Sequence, residues 1–309
     1  MLRENPVYKM EKMTSSRSMK MTGIIFGMNI VLTAAALMML YGMTREMQYT
    51  GEIPYQSLIQ LYEMIAYFEF ALVMFIVPAL TAGAVSGERE RQTLDLLLST
   101  KMNCSEIIIG KLEASFRTIL TVILSGAPVL SLVFIYGGIS GIDFITLFLY
   151  YVMTGLFTGS MGLMLSALFQ KTSAATAVTY VVLLILNAGT AAAVYLSYQV
   201  SYVQYMNSTD YAVYPSAGRW IYLLLLNPAV SFYHFITGQA GSGREFEKMA
   251  AGLGTRIHPF MENYWTEISV AIQILCIVLF ICVAARKINP LRGCIFKSLT
   301  SEKRDVTMS

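Results

Sequence analysis

"SGERERQTLDLLLSTKMN", residues 86–103, sits between two long apolar runs. It packs five charges into eight residues, Glu88, Arg89, Glu90, Arg91 and Asp95, and presents leucines at 94, 97 and 98. Its surroundings decide the fold. Residues 58–85 before it and 112–136 after it each exceed the roughly 20 apolar residues that a helix needs to cross a hydrocarbon core of about 30 Å. Runs at 23–43, 144–169, 174–198 and 268–285 fall in the same range. Irregular backbone cannot face lipid, so each run is expected to be helical.

Composition agrees. Of 309 residues, 56% are hydrophobic and 13% charged, against about 25% charged in soluble domains. The expected fold class is therefore all-α: a polytopic membrane protein with six transmembrane helices. Residues 1–285 form one transmembrane domain and residues 286–309 a basic cytoplasmic tail. Residues 199–266 are expected to be an exoplasmic loop. The segment "WIYLLLLNPAVSFYHFI", residues 220–236, is short and interrupted at Asn227 and Pro228. It reads as interfacial or re-entrant, not as a seventh span.

Basic residues orient the chain. Sixteen lie before the first span, between spans two and three, between four and five, and after six, whereas the opposite short loops hold Arg45 alone. This predicts cytoplasmic termini and places residues 86–103 in the cytoplasm. The first 21 residues mix Val7, Met10 and Met13 with Lys9, Lys12, Arg17 and Lys20, as an amphipathic helix on the inner leaflet would, or a basic tail. A net charge of +3 does not point to nucleic acid.

Polar residues within spans are few. Glu69 in the second span and Asn187 in the fifth are candidates for a translocation pathway, since such groups are costly in hydrocarbon. A structural hydrogen bond, or simple placement near the membrane interface, is the alternative for Glu69. The four cysteines form no C-x-x-C pair, and no disulfide framework is indicated. His234 and His258 lack the companions of a metal site. "IIIGKLEA" is not a phosphate-binding loop, because Leu112 follows Lys111 where Ser or Thr is required. No catalytic or nucleotide-binding constellation is visible, so any chemical energy must come from another chain.

Within residues 86–111 the spacing predicts a short helix over about 88–98. A turn at "TKMNC" follows, and then a second helix begun by Ser105. Leu94, Leu97 and Leu98 share one face of the first helix. That face can dock in a groove on another protein or rest on lipid.

"SGERERQTLDLLLSTKMNCSEIIIGKL" resembles the cytoplasmic signature of ATP-binding-cassette permeases of the type-2 exporter (ABC-2) superfamily. Gly87, Glu88, Glu90, Thr93, Leu94, Leu97, Leu98, Ser105, Glu106, Ile107, Gly110 and Lys111 match its pattern. "NPVYKMEKMTSSRS" is similar to the family's N-terminal elbow helix, and "LLNPAVSFYHFI" to the segment before its last span. Two positions depart: Gln92 stands where the family has glycine, and Lys101 or Met102 where it has proline. The resemblance implies a bacterial plasma-membrane permease subunit that is not itself an enzyme. It pairs with a second permease subunit, identical or not, and with a cytosolic ATPase holding ATP and magnesium. It further implies a coupling helix between spans two and three, with Glu88, Arg89, Glu90, Arg91 and Thr93 as polar contacts and Leu94, Leu97 and Leu98 as packing edge. A non-transporting subunit that passes force or signal to an exoplasmic partner is the alternative. An integral-membrane enzyme would need an acidic, histidine or cysteine cluster that the sequence does not display.

Overall fold

The computed structural model describes residues 19–50, 55–93, 104–135, 140–207, 214–241 and 244–288. Residues 1–18 of the expected elbow, Leu94, Leu97, Leu98 and residues 289–309 of the tail lie outside them. Among the described residues every regular element is helical. The long ones are α1 (Met19–Thr50), α2 (Tyr55–Thr81), α4 (Cys104–Ile135), α5 (Gly141–Leu168), α6 (Thr172–Leu184) with α7 (Thr190–Asn207), and α11 (Trp265–Ile288). Short helices are α3 (Ser86–Glu90), α8 (Pro228–Gln239), α9 (Arg244–Gly252) and α10 (Pro259–Asn263). A π-helical turn, Ile185–Gly189, joins α6 to α7, and a 3-10 helix, Gly218–Leu226, precedes α8.

Five stretches are long and apolar enough to cross a membrane: Met21–Arg45, Ser57–Glu90, Gly141–Leu168, Thr172–Asn207 and Trp265–Lys287. α4, which is not among these five, covers the remaining expected run. Its 32 residues extend about 48 Å at 1.5 Å per residue. It follows α2 in the opposite direction, with Lys111 bonded to the carbonyl of Ala84 and Gly126 lying against Glu69. α5 runs the same way as α2: Tyr151 bonds Ala66 near one end, and Gly162 meets Thr81 near the other. Glycines make the approach close. Gly155 and Gly159 of α5 face Ile119 of α4, where larger side chains would push the helices apart.

The ends of these helices follow local chemistry. Ser140 and Asp143 form a reciprocal capping box at the start of α5, satisfying two of the orphan N–H groups that every helix start leaves. The fourth span consequently begins three residues before the expected position 144. The fifth extends to Asn207, well past the expected 198.

The expected exoplasmic loop, residues 199–266, needs correction. Part of it is the end of α7, and part is built into the bundle. The 3-10 helix and α8 meet at an angle of 89°, with Asn227 as N-cap of α8 and Pro228 at its first position, where its missing N–H costs nothing. Phe232 of α8 is fully buried and stacks on Phe70 of α2 at 4.2 Å between ring centroids. Tyr67, Tyr150, Tyr151 and Phe235 surround it. At the far end of α8, Gln239 bonds the first turn of α5. Before the 3-10 helix, Ala217 bonds Leu253 beyond α9. The segment thus enters and leaves at one end of the bundle, as a re-entrant pair.

Candidate functional site

The charged stretch that follows α2 forms the joint between three crossing helices. α2 stops at Thr81, four residues turn, and α3 restarts at Ser86. The break frees backbone groups, and other helices take them. The Ser166 hydroxyl of α5 accepts the N–H groups of Val85 and Ser86, both at 2.9 Å. The Lys111 ammonium of α4 donates to the Ala84 carbonyl at 2.8 Å and to Glu88 Oε1 at 2.6 Å. The Lys111 side chain is 1% exposed and that of Glu88 18%, so this pair is held largely out of water.

Arg89 and Glu90 use opposite charges on opposite helix ends. The Arg89 guanidinium donates to the carbonyls of Phe169 at 3.1 Å and Ala167 at 3.4 Å, at the C-terminus of α5. Glu90 accepts the Thr172 N–H at 2.9 Å and its hydroxyl at 2.7 Å, at the N-terminus of α6. Lys171, the local N-cap residue of α6, supplies no side-chain cap; Glu90 fills that role from another element. A cation at a helix C-terminus and an anion at an N-terminus are each the favourable choice for the helix dipole.

The helix expected over 88–98 does not run through. Gln92 has φ of 57°, left-handed backbone. Its N–H reaches the carbonyl of Arg89 at 3.1 Å, and the Thr93 N–H that of Glu88 at 2.9 Å. These two bonds are the Schellman ending of a helix, in which glycine normally occupies the left-handed residue because it has no Cβ. This explains physically why glycine is usual where Gln92 stands. Gln92 favours helix by residue type, yet its left-handed backbone ends α3 at Glu90. Arg91, Gln92 and Thr93 are exposed.

The structure therefore divides the expected contact residues. Glu88 turns inward onto α4, Arg89 lies half-buried against the end of α5, and Glu90, itself exposed, caps the start of α6; Arg91 and Thr93 remain on the surface. Lys111, Ser166 and Thr172 complete the joint. Lys111 had a signal in the sequence, since it ends the matched motif. Ser166 and Thr172 had none.

A family model for the ABC-2 family transporter protein matches residues 9–287. The chain belongs to the ABC-2 family. It is an ABC transporter permease, an integral membrane component, and the joint just described lies in the stretch that carries the family's signature. Comparison with curated proteins found no match.

The two candidate pathway residues sit elsewhere in this permease. Glu69 is fully buried between helices, and neither carboxyl oxygen has a hydrogen-bond partner. Asn187 belongs to the π-helical turn. Its side chain donates to the Leu183 carbonyl at 2.9 Å. Its own carbonyl accepts from Asn227 Nδ2 at 2.7 Å, and the same nitrogen reaches the Thr190 hydroxyl at 2.9 Å. Asn227 thereby ties the re-entrant pair to the fifth span, a role the sequence alone did not suggest. Both histidines have structural contacts. His234 pairs with Thr266 at 2.8 Å, and His258 caps α10. Among the described residues no three His, Cys, Asp or Glu side chains are grouped as a metal site would require.

Proposed function

We propose that this permease forms the translocation pathway of an ABC exporter and is driven by a separate cytosolic ATPase through the segment after α2. The observation that carries this reading is the joint itself. α3 is bonded to α4 by Glu88 and Lys111, to the end of α5 by Arg89, and to the start of α6 by Glu90. A push on α3 is delivered to these three helices together. The exposed Arg91 and Thr93, leading into Leu94, Leu97 and Leu98, form the edge offered to the ATPase. These ties hold α3 against the bundle.

In this reading the joint lies in the cytoplasm with both termini, and the re-entrant pair lies at the exoplasmic end of a bacterial plasma membrane. ATP and magnesium are held by the ATPase alone. The outward faces of α1 and of α6 with α7, which carry exposed Phe26, Met38, Leu184, Leu196 and Val200, meet lipid and a second permease subunit.

The test co-expresses the full chain with a cytosolic ABC ATPase that co-purifies with it. Arg91→Glu reverses charge on the exposed edge without touching the joint. It should weaken co-purification of the ATPase at least about tenfold, as expected when a charge is set against its partner, with membrane insertion unchanged. ATPase recovery equal to that of the unmodified chain would refute the docking assignment. Vesicle flux with the assembled pair then separates an exporter from a subunit that only transmits force.

A further inference from the structure

Glu69 is the one fully buried carboxylate side chain among the described residues, and it lies inside a membrane-crossing helix. Both of its oxygens lack partners, and so does the buried hydroxyl of Thr154 on the facing α5. The carboxyl group rests on Gly126 of α4, so closely that a Cβ there would collide with it. The chain thus keeps a space for this group and gives it no cation. An isolated ionised carboxylate in such a medium costs far more than the folded state can supply, and the group takes up a proton instead.

The groups facing Glu69 from the packed helices are few. α5 presents Tyr151, whose hydroxyl donates to the Ala66 carbonyl of α2 at 2.9 Å. α2 itself adds Tyr62, and Tyr62, Ala66 and Glu69 follow one another about one turn apart on one face of that helix. On α4 the nearest described cation is Arg117, exposed and roughly 14 Å along the helix from Gly126 at 1.5 Å per residue. α8 contributes Gln239, which accepts from the Tyr62 hydroxyl at 2.6 Å and donates to Asp143 O and Thr146 Oγ1. Tyr62 with Gln239 at the Asp143 end, Tyr151 at Ala66, and Glu69 therefore follow one another along α2. Among the described residues no three His, Cys, Asp or Glu side chains gather around it, so a metal cation would lack a ligand set. A proton needs only one ligand.

We propose that Glu69 is a proton-binding site inside the bundle, loaded and emptied from the Asp143 end through the hydroxyls of Tyr62 and Tyr151. In the exchange, a hydronium at that end gives up its proton. Each hydroxyl receives one proton as it passes its own on, and the last proton forms the O–H bond of the Glu69 acid. No charge stays on either tyrosine. In the conformation described here the Tyr62 hydroxyl points to Gln239 and that of Tyr151 to the Ala66 carbonyl at 2.9 Å. The relay is therefore broken at rest, and exchange waits on rotation of these two side chains. The proposal rests on the membrane-spanning reading but not on the ATPase or on any substrate.

Infrared spectroscopy of the full chain in lipid nanodiscs, without ATPase, tests it. A carboxylic-acid C=O band should be present at neutral pH, vanish in Glu69→Gln, and shift slowly after transfer to D2O. Tyr151→Phe and Tyr62→Phe should slow that shift about tenfold, equivalent to about 1.4 kcal/mol added to the barrier. If Glu69→Gln does not fold, Glu69→Asp takes its place, and the band should move in frequency. Absence of the acid band, or its persistence in Glu69→Gln, would overturn the site. A shift rate unchanged in both tyrosine variants would overturn the route. None of these failures bears on the coupling reading, which the Arg91→Glu experiment tests separately.

Discussion

Two helix breaks, at opposite ends of the bundle, solve the same problem differently. Each interruption of a helix frees backbone groups that lipid cannot satisfy. After α2, side chains from two other helices take them: Ser166 binds two N–H groups and Lys111 a carbonyl. At the 89° bend before α8, one residue does most of the work. Asn227 caps α8 through its oxygen, and through its nitrogen it holds the π-helical turn of the fifth span. The first break is a joint with distributed ties, built to move as one piece. The second is a latch that depends on one amide.

The largest expected effect is at the joint. Lys111→Ala leaves Glu88 buried without its cation and should cost about 3–5 kcal/mol, read as a lower unfolding temperature in detergent. Adding Glu88→Ala should return a good part of that loss. If the double variant is no better than the single, the ion pair is not what holds the joint.

Asn227→Ala should come next, at about 2–3 kcal/mol, combining a lost N-cap with buried partners left unmade. Its distinguishing readout is position. Hydrogen exchange should rise around residues 185–190 and 218–239 and stay unchanged near residues 82–90. A rise spread evenly over both ends would erase the contrast between latch and joint.

Ser166→Ala is expected to cost about 2 kcal/mol, because two N–H groups lose one acceptor. Here the exchange pattern should be the reverse of that for Asn227→Ala, with Val85 and Ser86 affected first. The smallest change is a gain. Gln92→Gly removes a left-handed non-glycine residue and should stabilise by about 1 kcal/mol. A loss of stability would mean that the Gln92 side chain compensates for its backbone.

The legible parts of the molecule share one property. The spans at residues 23–43 and 58–85 could be read because runs of twenty or more predominantly apolar residues are visible along the chain. The bend at Asn227–Pro228 was readable for a similar reason, since a capping residue followed by proline is a local signal. The opening stretch was legible as a signature and as a break between spans, but not as a continuous helix. Its stop depends on the backbone of Gln92, a residue whose type favours helix. The loop at 199–266 misled because apolar residues such as Phe232 can be anchors at a surface or plugs in a core, and composition does not distinguish them.

The sequence by itself determined that this is an all-helical membrane protein, where its helices cross, and that it carries the ABC-2 signature. These are matters of hydropathy and local spacing, summed over neighbours in the chain. Only the tertiary structure decided what each charge does. Glu88 and Glu69 belong to one apolar run and its charged sequel, yet one meets Lys111 and the other meets a glycine. Arg89 and Glu90 find the ends of α5 and α6 some eighty residues further on. Those partners are set by how helices pack, through glycines such as Gly126 and Gly162 that let them close. Packing is a property of surfaces in contact, and no run of residues states it alone.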